Sequence, residues 1–174
     1  MFIPGFLITL VTFPGVIVHE IAHQFFCRVT GTAVLDVCYF QVGNPAGYVV
    51  HDRPSTPGKH LLISIAPFIL NSLLGAFIAA PSAISSFTFG DVDVLDGLLI
   101  WLGVSIAMHS FPSTGDARSL WGALGRETWW LKVLIAPVVF VIFLGAVLSF
   151  IWVDLLYGIA VCALLPKLLV NWLA

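Results

Sequence analysis

His19, Glu20 and His23 are the residues of this chain best suited to do chemistry, and they stand in the order His19-Glu20-Ile21-Ala22-His23, an HExxH pattern. Residues four apart share a helical face, so the two imidazoles can grip one metal ion. Glu20 lies beside the first of them, where its carboxylate can take a proton from water on that metal. The pattern falls at the end of an apolar stretch, Phe2 to Phe26. Ionisable groups at membrane depth are costly and usually functional. The bland alternative, a polar patch whose members merely satisfy one another, requires a chance match in a chain with two glutamates.

A catalytic metal centre needs a third protein ligand and an open position for water. The run His109-Ser110-Phe111-Pro112-Ser113-Thr114-Gly115-Asp116 offers two candidates. Pro112 and Gly115 should unwind a helix end, which is tolerated where backbone lines a wet cavity. Asp116 could then turn back to the metal; otherwise it is an ordinary loop acid. His109 is the rival third ligand, or else a donor to the oxyanion formed during attack.

Composition indicates what must carry these groups. Sixty per cent of the 174 residues are hydrophobic and nine per cent charged, with a mean hydropathy of +1.07. A soluble domain would hold about a quarter charged residues. The net charge of −2 and the lack of a Lys/Arg-rich run give no nucleic-acid footprint. The expectation is an all-α polytopic membrane protein, a single domain over 1–174, with the lipid bilayer as its main partner. About five transmembrane helices, each near the twenty residues a bilayer needs, are expected at 3–27, 60–81, 95–111, 130–149 and 153–172. The last two are separated by Ser149 to Asp154 and read as a tight hairpin.

A small β-hairpin is expected between the first two helices. Val34 to Val42 is β-branched and aromatic, Gly43 to Gly47 supplies turn chemistry, and Tyr48 to His51 returns as a second strand. Arg28, Arg53 and Lys59 follow the first helix, Arg118, Arg126 and Lys132 border the region after the third, and Lys167 ends the fifth. The positive-inside rule then gives an outside N-terminus, a cytoplasmic C-terminus and a metal site near the cytoplasmic face. The N-terminal stretch has no basic leader region and should be retained as a helix.

Several other residues take plainer readings. Cys27, Cys38 and Cys162 lack paired spacing and read as small buried side chains. His51 and His60 read as solvated or interfacial groups, and Asp91, Asp93 and Asp96 as a solvated outer loop. Trp101, Trp129, Trp130, Trp152 and Trp172 fall near helix ends, as interfacial anchors do. Asn71 reads as a buried amide that hydrogen-bonds between helices.

HExxH on the first helix, a proline-containing turn with Asp two helices later and a hairpin between them resemble the site-2 protease family of intramembrane metalloproteases. That resemblance covers about residues 10 to 118. It implies a three-helix catalytic core within about 3–118, with the helices at 130–172 as accessories. It also implies one catalytic zinc held by His19, His23 and Asp116, with Glu20 as general base. The family's third-helix motif, NxxPxxxxDG, is only approximated: His109 stands where Asn is usual, Asp116 comes one residue early after Pro112, and Ala117 replaces Gly. The implied activity is peptide-bond hydrolysis in a transmembrane protein substrate, in a membrane that short loops suggest is prokaryotic and cytoplasmic. An edge of the hairpin could receive an extended substrate segment as an added strand, or the hairpin could plug the site. The alternatives are an inactive metal-binding scaffold and a metal transporter; a transporter should show repeated halves, which this chain lacks.

Overall fold

The structure is a computed structural model that describes residues 5–89, 93–125 and 128–173. An apolar chain must satisfy its own backbone polar groups, and here most do so as helix. The elements are α1 (Gly5–Val11), α2 (Phe13–Val29), β1 (Val34–Cys38), β2 (Tyr48–His51), α3 (Pro57–Phe89), α4 (Val94–Met108), α5 (Thr114–Leu124), α6 (Trp129–Leu148) and α7 (Val153–Leu173). The first expected helix is therefore two. Pro14 cannot donate into the ladder and its ring crowds the preceding turn, so the helix restarts after Thr12. Thr12 caps the end of α1 by donating its hydroxyl to the Ile8 carbonyl at 2.8 Å.

The hairpin forms as an antiparallel pair, with Val34 opposite His51 and Cys38 opposite Tyr48. Its first strand stops at Cys38 rather than running to Val42. Beyond it the chain closes a loop, in which Gln41 donates from its main chain to the Ala46 carbonyl at 2.7 Å and from its side chain to the Pro45 carbonyl at 2.9 Å.

Helix α3 is the spine. Its 33 residues span about 50 Å at 1.5 Å per residue, and α2, α4, α5 and α7 pack along it. Helix α2 runs antiparallel to it: Gly15 is level with Asn71, and His23 with Ile63. Helix α4 is also antiparallel, packed so closely that a Cβ built on Gly103 would lie 2.6 Å from the Gly75 carbonyl oxygen. Small residues permit this approach, as at close helix crossings in membranes.

After α4 the chain breaks at His109 and continues in the same sense as α5, which reaches the start of α3 where Ser119 meets His60. Sequence reading did not anticipate α5. Ser113 caps it, accepting from the Asp116 N–H while Asp116 reaches back to the Ser113 N–H, a capping box that the Ser-x-x-Asp spacing does encode. The same device opens α4 with Asp93 and Asp96, so those two acids are caps; Asp91 lies outside the described residues.

Helix α6 returns antiparallel to α5, burying Ile135 and Val139 against Ala117, Leu120 and Leu124. Its far end places Gly145 on Phe111. Helix α7 then continues in the same sense as α3: Tyr157 is level with Phe68, and Cys162 with Ala79. The expected tight hairpin between α6 and α7 is therefore corrected. A single turn of 3₁₀ helix at Ser149–Ile151 and a left-handed Trp152 redirect the chain without reversing it. The break was visible in sequence, but its angle depends on where Gly158 and Cys162 find close packing on α3 and α4. As a result α7 ends toward the C-terminal end of α3, away from the end where His60 meets Ser119.

Among the described residues, one helical stretch, Pro57–Ser85, is long and apolar enough to cross a membrane. Helix α4 and Trp129–Gly145 are shorter apolar helices. The α3–α4 contact sets a test. Gly103→Val should cost about 1–3 kcal/mol by overpacking and lower the thermal midpoint, whereas Gly97→Val, where a Cβ meets nothing within 4 Å, should shift stability by no more than about 0.5 kcal/mol.

Candidate metal centre

Helix α2 presents His19, Glu20 and His23 on its buried side. Each histidine gives its outer nitrogen to a main-chain carbonyl. His19 Nδ1 lies 2.7 Å from the His109 oxygen, and His23 Nδ1 lies 2.9 Å from the Ile63 oxygen. A carbonyl only accepts, so both Nδ1 atoms carry protons, and in the neutral rings both Nε2 atoms turn lone pairs inward. Those Nε2 atoms are 3.1 Å apart. Two facing lone pairs repel unless a cation sits between them. Two nitrogens on one tetrahedral zinc would stand roughly 3.3 Å apart, given Zn–N bonds of about 2.05 Å. The spacing fits a metal of that size.

Both carbonyls are available for local reasons. Pro67 stands four residues after Ile63 and has no N–H, so the Ile63 oxygen has no partner in the α3 ladder. His109 is the C-cap of α4, and its oxygen lies beyond the last helical turn. Asn71, fully buried, also donates to the His109 oxygen at 3.1 Å, so the amide read from sequence serves the site through this carbonyl.

Asp116 completes the donor set. Its Oδ2 is 3.5 Å from His23 Nε2, and one donor atom from each of His19, His23 and Asp116 lies within 4.8 Å of the other two. Among the described residues this is the group of such side chains that could hold a metal. The carboxylate is oriented by Ser113, which donates to Oδ2 from its N–H at 2.8 Å and its hydroxyl at 2.7 Å. Burial opposes the charge on Asp116, and the two hydrogen bonds from Ser113 offset that cost by favouring the ionised carboxylate. A carboxylate that stays ionised beside two inward lone pairs is what a divalent cation requires.

Glu20 is buried at 7 % exposure and follows His19 directly. The hairpin loop lies on it: a Cβ built at Gly47 would fall 2.8 Å from Glu20 Cγ and 3.1 Å from Oε1. Only a residue without a side chain fits there. The loop is anchored beside α2 by Tyr39, whose hydroxyl donates to Gln24 Oε1 at 2.6 Å, and by the packing of Phe40 on Phe13.

Two expectations change. The His109 imidazole is not one of the three donors; its Nδ1 sits 2.9 Å from the Ser105 oxygen, packed where a side chain on Gly15 would collide with it. What His109 lends to the donor set is its main-chain carbonyl, which holds His19 Nδ1. His60 is also not solvated: it is buried at 6 % exposure, with Nε2 3.0 Å from Ser119 Oγ. The Ile63 carbonyl was missed from sequence, although Pro67 is its signal. Comparison with family models, curated proteins and solved structures yields no match to this chain.

Metal titration of the purified chain separates these roles. His23→Ala or Asp116→Ala should abolish stoichiometric binding of about one ion per chain, whereas His109→Ala should retain it. Pro67→Ala, which returns a competing N–H to the Ile63 carbonyl, should weaken binding by about tenfold; unchanged affinity would remove the proline from the account.

Proposed function

We propose that this chain is a membrane-embedded zinc metalloprotease of the site-2 protease type, hydrolysing peptide bonds in membrane-embedded or membrane-proximal protein segments. The observation that carries the proposal is the convergence of His19, His23 and Asp116 beside the buried carboxylate of Glu20. Zinc held by those three residues would supply a Lewis acid for the scissile carbonyl and lower the pKa of water there. Glu20 accepts the proton of the attacking water and hands it to the leaving amine. Ser113 keeps Asp116 aimed inward, and the carbonyls of His109 and Ile63 keep both imidazoles in one tautomer.

A helical substrate hides its carbonyls, so the scissile segment must be extended. The hairpin provides strand edges for such a segment, while its loop, seated on Glu20, must shift to admit one. A lone scaffold would have no need of Glu20, and the ligands gather at one place rather than in repeated halves as in a transporter.

Several features support the membrane reading. Pro57–Ser85 is long and apolar enough to span, and large apolar side chains such as Phe77, Phe140 and Leu164 face outward, where a soluble surface would be polar. Arg28, Arg53, Lys59, Arg118 and Lys132 gather toward the hairpin end, which the positive-inside rule makes cytoplasmic. With α7 running in the sense of α3, the end of α7 then lies outside. This replaces the cytoplasmic C-terminus expected from five alternating spans.

The decisive experiment reconstitutes the chain in liposomes with a single-span reporter substrate. Glu20→Gln should keep zinc and lose cleavage by a factor of about 10²–10⁴. Wild type that binds zinc yet cleaves no better than Glu20→Gln across a panel of substrates would return the scaffold reading. In the same vesicles, single cysteines at Ser55 and Trp172 in a cysteine-free background should label from opposite faces; labelling from one face would refute the topology.

A further inference from the structure

Helix α7 offers no metal ligand, yet Tyr157 reaches the turn on which His19 depends. Its hydroxyl is 2.7 Å from Ser72 Oγ, which in turn lies 3.1 Å from Ser110 Oγ. Ser110 is fully buried and directly follows His109. The Tyr157 ring stacks on Phe68 at 5.7 Å and meets Phe111 edge-on at 4.9 Å. Phe68 and Ser72 belong to α3, whereas Ser110 and Phe111 belong to the turn between α4 and α5. Tyr157 therefore bridges the turn to the spine by ring and by hydroxyl together. On the other side of the same turn, the His109 oxygen holds His19 Nδ1 at 2.7 Å.

The turn needs such an anchor. Residues 109–113 lie outside both helices, so no continuous ladder sets the direction of the His109 carbonyl. The half-buried Tyr157 phenol finds a partner for its O–H in a serine already tied to the turn. Packing alone would be served as well by phenylalanine.

We propose that Tyr157 is a positioning residue of the metal centre: by holding Ser110 and Phe111 it fixes the His109 carbonyl, and through it the orientation of His19. This rests on the metal-centre reading above. It also assigns a role in the site to α7.

The test is a Co²⁺ titration of the full chain in detergent, followed by visible absorption, for wild type, Tyr157→Phe, Ser110→Ala and the double variant. Tyr157→Phe should weaken Co²⁺ binding about tenfold, the low end of what losing a partner of a ligating histidine costs, and alter the cobalt bands. The double variant should lose no more than about twofold beyond Tyr157→Phe, because both act through one turn. A Tyr157→Phe protein with a lower thermal midpoint but wild-type cobalt affinity and spectrum would overturn the proposal in favour of simple packing. Wild type that takes up no cobalt would instead defeat the metal-centre reading. Amide exchange in the metal-free chain then decides the claim about the turn: faster exchange across 109–113 in Tyr157→Phe supports it, and unchanged protection overturns it.

Discussion

Two imidazoles on one helix face each other with their lone pairs inward because two main-chain carbonyls take their outer protons. His19 leans on the His109 oxygen and His23 on the Ile63 oxygen. Without those partners the rings would be free to rotate or exchange tautomers; with both rings neutral and both outer protons so held, the 3.1 Å approach of the Nε2 atoms is repulsive unless a cation lies between them. The rest of the molecule can be read as a means of supplying two helical carbonyls that the helices themselves do not use. Pro67 releases one by lacking an N–H, and the end of α4 releases the other.

The break after α4 has three consequences at once. It frees the His109 carbonyl, it starts α5 with Ser113 as cap, and it places Asp116 in the first turn of that new helix. The acid that closes the capping box is also the acid that faces His23. A carboxylate in this position is favoured by the helix N-terminus, so local helix chemistry and the candidate metal site select the same residue. The hairpin adds the fourth wall, with Gly47 seated on Glu20.

Helix α3 makes the assembly possible by its length. A shorter helix would pair with α2 and α4 but leave α5 without support. At 33 residues it holds α4 and α5 end to end on the way down and α7 on the way back, while α6 packs on α5. Close contact at Gly75, Gly103 and Gly158 brings the helices near enough for Tyr157 to reach across to Ser72.

Much of this was legible in the residues alone. The pairing of His19 with His23 follows from the helical repeat, and the hairpin from β-branched runs around a Gly/Pro/Asn turn. These are local properties, set by neighbours a few positions away. The capping boxes at Asp93 and Ser113 and the carbonyl freed by Pro67 were equally local and could have been read. The rest could not. That Asp116 and not the His109 side chain joins the two histidines, that His60 is buried against Ser119, and that α7 follows α3 instead of folding back on α6 each depend on contacts between residues dozens of positions apart. A helix break shows in sequence as a proline, a glycine or a polar gap, but the direction in which the chain leaves it is set by the surface that the next helix can bury, and only the folded molecule contains that surface.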